Sequence, residues 1–381
     1  MKTRIIHANV VLPDAVLCDS AVVIEDGRIL AIDPDTSGGV TDHDVEGAYL
    51  IPGLIDLHSD AIERWLEPRP NVLFDSDFAL AHADSVAAIC GITTVFHAIS
   101  FAEAELGLRN VAAAARLTRS IAHFYESAKV SHRVHCRYEV TDPDGLPVIE
   151  QLARDGSVHL ISLMNHTPGQ GQFKNEAAYR DYFAVTFRRP SEELDRFLQL
   201  KIGLLPSVPS RVDRLGACAR ECNVPLAVHD EDLPERLVEL ANIGVSLCEF
   251  PINIETARVA HRIQLRTIFG APNALRGRSQ SGSLRAIDAI KEGVADCLCS
   301  DYSPASLLAA VFFLWRTAGV PLPIAVRLAS LNPSQAVGLG DAGSVSVGKR
   351  ADLVAVRPTD TRVSVEELWV GGRSVLKCSV R

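Results

Sequence analysis

The rhythm of apolar and polar positions changes twice along this chain. Residues 1–50 carry β-branched runs, "RIIHANVVL" and "SAVVIEDGRILAI", and the second holds an Asp26-Gly27 pair where a hairpin would turn. The far end repeats the theme with "SVSVGKRADLVAVRP" and "ELWVGGRSVLK". Chain termini commonly lie close together, so residues 1–52 and 341–381 are expected to pair into one small composite β-sandwich. Residues 53–340 alternate instead. Eight short apolar runs appear in order: "GLIDLHSD", "GITTVFHA", "RVHCRYEV", "VHLISLMNH", "VPLAVHDE", "GVSLCEF", "RTIFGAPN" and "ADCLCSDY". Near-continuous apolar strands suit a parallel sheet covered on both faces. Helical patterns separate most of them, as in "DLPERLVELANIG", with Asp232 read as N-cap and Gly244 just past the end. Eight strand–helix units over roughly 280 residues predict an α/β fold of the TIM type, a (β/α)8 barrel with insertions.

The ends of the runs sharpen this picture. Nearly every run turns polar at its C-terminal side: His58 with Asp60, His97, Glu139, His166, His229, Glu249, Asn273 and Asp301. In such barrels the active site occupies that face. The connection after the fourth run, residues 167–210, is too long for a simple strand–helix link and reads as a lid or substrate loop.

His58 and Asp60 are two apart and therefore aim the same way from a strand end. Imidazole nitrogen and carboxylate oxygen suit a divalent metal, and His166, His229 and Asp301 converge from other strand ends. Glu139 could bridge two ions. The fourth run offers no lysine for a carbamate bridge. A metal there generates hydroxide by lowering the pKa of water from about 15.7 toward ~7, and Asp301 could orient that nucleophile and shuttle its proton. Each residue also has a plainer role: H-x-D as a capping pair, Asp301 as a helix cap, His166 and His229 as satisfied core histidines, and Glu139 as a partner of Arg137. Glu63 and the "EPRP" loop that follows fall at the substrate's edge. "GQGQF" is no dinucleotide fingerprint, and "VGKRAD" lacks the residues of a P-loop.

A formal net charge of −9 argues against nucleic acid as a partner, which normally meets a basic face. It leaves room for an anionic small molecule, because a metal or a local arginine cluster inverts the field of a pocket. The nine cysteines form no C-x-x-C and mostly sit in apolar runs, as reduced thiols do in a reducing cytosol. The start lacks an uninterrupted apolar segment, and no run is long enough to cross a bilayer. A soluble cytoplasmic protein, with homo-oligomers compatible, is the expectation.

Several stretches carry a resemblance. The terminal β segments, "AYLIPGLIDLHSD" and "GSVSVGKRADLVAV", resemble the amidohydrolase superfamily. Within it, "LIDLHSDAIERWLEPRPNV", "GITTVFHA", "HRVHCRYEV", "SLMNHTPGQGQF", "EFP", "GAPNALRGRSQSGS" and "SDYSPASLL" are similar to the PhnM family, the α-D-ribose 1-methylphosphonate 5-triphosphate diphosphatases of phosphonate catabolism. They run through nearly the whole barrel in order. The resemblance implies hydrolysis of the triphosphate to the 5-phosphate and pyrophosphate. It implies metal ligands at His58, Asp60, Glu139, His166, His229 and Asp301, holding one or two ions of zinc, manganese, iron or nickel. Phosphoryl transfer needs cations around the spreading oxygens. Arg69, Lys174, Arg276 and Arg278 are the leading candidates, with Arg133 and Arg137 behind them. His97 and Gln280 complete the expected substrate contacts.

This chain also departs from that family. Asn165 stands where the family has aspartate, "FHA" where it has "LDA", "RGRSQSGS" where it has roughly "RGGSHSGN", and Ser303 where it has tyrosine. The changes fall on loops that would hold substrate, while the ligand set is intact. Three readings follow: a phosphoanhydride hydrolase, a carbon–nitrogen hydrolase acting on an amide, imide or deaminated ring, and a non-catalytic barrel that binds a ligand. The retained ligands weigh against the third, and the need for a phosphate clamp separates the first two.

Overall fold

The computed structural model describes residues 2–33, 41–69, 72–102, 110–124, 128–171, 175–177, 179–180, 191–279 and 282–378, the side chains of 191–194 excepted. Strands β1 (Lys2–Val11), β2 (Val16–Glu25), β3 (Arg28–Ile32), β4 (Thr41–Asp44) and β5 (Tyr49–Pro52) begin the chain. Eight more follow: β6 (Leu54–Ser59), β7 (Ile92–Phe101), β8 (Ser131–Glu139), β9 (Leu160–Met164), β10 (Leu226–His229), β11 (Val245–Glu249), β12 (Arg266–Gly270) and β13 (Cys297–Cys299). The chain closes with β14 (Leu353–Pro358), β15 (Val363–Val370) and β16 (Arg373–Lys377).

The two ends do meet. β14 pairs antiparallel with β5, joining the terminal strands into one sheet of order β16-β15-β14-β5-β1-β2-β3, with β4 beside β1. The Asp26-Gly27 turn closes the β2–β3 hairpin with both residues at positive φ, 49° and 79°, as a two-residue turn of this type requires. Strand alternation splits the sheet's apolar residues. Leu50, Leu353, Ala355 and Trp369 face a core with Ile5 and Val22, while Ile51, Val354, Val356 and Leu368 face the barrel's helices. The sheet is thereby fastened to the barrel.

The eight apolar runs form β6 to β13, an eight-stranded parallel sheet in sequence order. Its interior is filled by Ile55, Leu57, Phe96, Leu160, Ala227, Leu247, Ile268, Cys297 and Cys299. Gly53 opens β6 where no other residue fits, since a Cβ would stand 2.2 Å from Thr93 Oγ1. The ladder is incomplete between β13 and β6. Lower down, Leu298 and Ile55 donate instead to the carbonyls of Leu328 and Ala329. At the top the seam is sewn by Asp301 N–H to His58 O and Asp60 N–H to Asp301 O, each 2.9 Å. Asp56 joins them beneath, its carboxylate accepting from the Ser300 N–H and hydroxyl.

The helix expected from Asp232 runs Pro234–Ile243, so Leu233 rather than Asp232 is its N-cap. Proline has no N–H to be capped and starts the helix itself. Gly244 ends it as expected, at φ 105°. All nine cysteines are free thiols. No helix among the described residues is long and apolar enough to cross a membrane.

Asp84, buried on the helix Ser76–Ile89, anchors the start of β8. Its Oδ1 accepts from the N–H groups of Lys129 and Val130 at 2.8 and 3.0 Å and lies 3.2 Å from His132 Nε2; its Oδ2 meets Lys129 Nζ at 3.0 Å. Burial opposes its charge, but these partners hold its pKa below the ordinary carboxylate value. A depressed folded pKa gives stability that is present above the unfolded pKa of about 3.9 and is lost as pH falls through the folded value. Asp84→Ala is therefore expected to cost about 3 kcal/mol in denaturant unfolding at pH 7. The gap to the unsubstituted protein narrows under acid, and an equal gap at pH 7 and pH 3 would refute the assignment.

Candidate metal centre

The C-terminal ends of the barrel strands bring the first set of candidates together. β6 delivers His58, whose turn into the mouth comes from a register shift between Asp56 and Ser59. Strict alternation would have placed it opposite Ile55 and Leu57; an irregularity of this kind re-aims a side chain. Asp60 follows as the first residue beyond the strand, β10 ends in His229, and β13 is followed by Asp301. They line a cavity of about 220 Å³ with Arg137, Asp230, Phe250, Arg276, Arg278 and Tyr302.

Among the described residues, two groups of side chains have ligand atoms within 4.8 Å of one another: His58, Asp60 and Asp301, and His58, His229 and Glu249. His58 Nε2 lies 3.4 Å from Asp60 Oδ1. That is the separation expected of two donors each about 2.1 Å from a tetrahedral ion, so the residues fit a divalent metal. Glu249 was legible only as one polar strand end among eight; the structure gives it a specific task. Its Oε1 lies 3.1 Å from His58 Nδ1, which fixes the ring and points Nε2 at Asp60. Its Oε2 is 3.6 Å from Nε2 of His135, a buried ring whose other nitrogen bonds the Leu57 carbonyl.

The field here is severe. Burial works against charge on His58, yet the carboxylates of Glu249 and Asp60 lift its pKa to about 10. Burial would raise Glu249 too, but His135 and His58 hold it below the usual range. Desolvation and then repulsion from Asp60 raise the Asp301 carboxyl. Asp230, Phe250 and Asp301, each the residue at the end of a strand run, all adopt left-handed backbone near φ 50–55°. For a side chain the size of phenylalanine this is strained, and such strain gathers at functional sites.

Other candidates fall elsewhere. Glu139 and His166 belong to neither ligand group among the described residues; they pair with each other, His166 Nδ1 lying 3.1 Å from Glu139 Oε2. His97 points the wrong way for a substrate contact. Phe96 faces the barrel interior, so His97 faces the helices, buried, with Nε2 2.8 Å from His132 Nδ1. Glu63, on the helix Ala61–Leu66, and the exposed Arg69 are not in the cavity wall. Lys174 and Gln280 lie outside the described residues, as do residues 172–174, 178 and 181–190 of the connection read as a lid; Ser191–Leu204 of that connection is a helix, not loop.

Residues 209–375 match the model of the amidohydrolase family. Over 375 residues the chain is 32% identical to the α-D-ribose 1-methylphosphonate 5-triphosphate diphosphatase of Escherichia coli, covering 97% of this chain and 99% of that protein. The chain belongs to the amidohydrolase family. It is a hydrolase of that superfamily. Amidohydrolase structures share the fold at low identity. N-acetylglucosamine-6-phosphate deacetylase from Pasteurella multocida aligns with 98% of this chain and 99% of its own, at TM-score 0.64 and 15% identity. N-isopropylammelide isopropylaminohydrolase from Burkholderia multivorans aligns with 98% of each chain, at TM-score 0.63 and 16% identity.

Proposed function

We propose that this amidohydrolase is a metal-dependent phosphoanhydride hydrolase that converts α-D-ribose 1-methylphosphonate 5-triphosphate to the 5-phosphate and pyrophosphate. The observation that carries the reading is the make-up of one cavity. His58, Asp60 and Asp301 line it together with Arg276 and Arg278. A neutral amide has no use for two guanidinium groups there, whereas a polyphosphate needs them. The likeness to the Escherichia coli diphosphatase over nearly the full chain supports the same substrate class.

His58, Asp60, His229 and Asp301 would hold a divalent ion, with Glu249 orienting His58. When bound, such an ion supplies a Lewis acid and a water acidified toward ~7. Asp301, its carboxyl pKa raised by burial and by Asp60, accepts the proton of the attacking water and returns it to the leaving oxygen. Arg276 ends the helix Ala271–Arg276 and donates to the Tyr302 hydroxyl at 3.3 Å, which steers its guanidinium along the cavity wall. Asn273 holds the following loop by accepting from Ala286 N–H and donating to Leu284 O.

A substrate screen tests the reading: protein loaded with manganese or zinc, with pyrophosphate release from the ribosyl phosphonate triphosphate followed beside ammonia or amine release from amides and cyclic imides. Amine release without pyrophosphate would hand the site to carbon–nitrogen chemistry. Arg276→Ala and Arg278→Ala are each expected to raise KM for the triphosphate about tenfold, as loss of a charged hydrogen bond does. An unchanged KM in both variants would remove the clamp.

A further inference from the structure

From its place at a strand end, Glu139 could bridge two ions. The structure gives it other company. Glu139 is buried, its Oε1 accepting from the Thr141 hydroxyl at 2.7 Å. Its Oε2 lies 3.1 Å from His166 Nδ1, 3.3 Å from the His166 N–H and 3.5 Å from Nζ of Lys201. Lys201 is only 5% exposed and comes from the helix Ser191–Leu204, far along the chain. A buried ammonium beside a buried carboxylate is an ion pair that already satisfies the charge of Glu139.

Asp60 has its own cation. Arg137 is two residues before Glu139 on β8 and so faces the same way, into the mouth. Its Nη1 donates to Asp60 Oδ1 at 3.0 Å, and its Nη2 stands 3.3 Å from His229 Nε2. The guanidinium thus bridges Asp60 and His229. Arginine does not lose its proton in proteins, so this charge is permanent. A second divalent ion between Asp60 and Glu139 would have to settle against Arg137 on one side and Lys201 on the other. The distribution of ligands agrees: among the described residues, both groups able to hold an ion contain His58, and neither contains Glu139 or His166.

We propose that this chain holds a single divalent ion, and that Arg137 at Asp60 and Lys201 at Glu139 supply the positive charge a second ion would bring. The inference rests on reading the His58 group as a metal centre. Arg137 would then be a planar donor in the cavity wall for the departing phosphoryl oxygens.

The test is a metal count and needs no turnover. Full-length protein is dialysed to saturation against Mn2+, ions per chain are measured by elemental analysis, and the electron paramagnetic resonance spectrum is recorded. The expected result is one ion per chain with the spectrum of isolated Mn2+. Arg137→Ala combined with Lys201→Ala is expected to take up a second ion and show a spin-coupled pair. Two ions in the unsubstituted protein overturn the inference and leave the hydrolase reading intact. No ion at all overturns both. A folded double variant that still binds one ion overturns the role given to Arg137 and Lys201, and if that variant does not fold, the count on the unsubstituted protein decides.

Discussion

Asp301→Asn will lower turnover about a thousandfold while leaving the fold and the bound metal in place, the middle of the range for losing a general acid–base. The backbone at this position is held by bonds to His58 O and Asp60 N–H that do not involve the side chain. Its left-handed φ of 55° is one that asparagine tolerates as well as aspartate. Size and hydrogen-bonding reach are therefore kept, and what disappears is the capacity to carry a proton. Burial and Asp60 both raise the pKa of this carboxyl, bringing it closer to the pH at which proton transfer is useful. The check is kcat measured beside metal content and thermal unfolding. Near-normal kcat removes Asp301 from the chemistry; loss of metal along with kcat makes it a ligand first and a proton carrier second.

Glu249→Gln will weaken metal binding by about 10- to 100-fold, the usual cost of losing the carboxylate behind a ligating histidine. Glu249 never touches the cavity, yet it decides which nitrogen of His58 does. Its Oε1 holds Nδ1 at 3.1 Å, leaving Nε2 for Asp60 and an ion. A glutamine removes the charge that keeps His58 oriented and basic, and its amide N–H competes at Nδ1. Activity is expected to return at saturating metal, which separates this residue from Asp301. An unchanged metal dissociation constant in a titration would show that His58 is positioned by packing against His135 and Phe250 alone.

The barrel was written plainly into the chain. Eight apolar runs became eight strands in order, because parallel strands buried on both faces need such runs and little else encodes them. Strand ends were legible for the same reason, since polar residues there must reach the mouth or stay without partners. Facing was harder to read. All ten residues of β7 are buried, so nothing in its polarity distinguishes inside from outside, and His97 was placed on the wrong side. His58 reaches the mouth through a ladder irregularity that no local pattern announces. Lys201 meets Glu139 across more than sixty positions of sequence, a pairing set by tertiary packing alone. Arg137 was visible as a neighbour of Glu139, but its bond to Asp60, just beyond the end of a strand two places away in the barrel, needed coordinates.

The seam between the first and last barrel strands has a consequence for traffic. The same two backbone bonds that lock the cylinder shut also set the spacing of His58, Asp60 and Asp301. Prising the wall apart there to let a bulky guest in would scatter the very groups it comes to meet. Entry and exit are then expected from the connecting segments above the rim, with the strands keeping the spacing these bonds set.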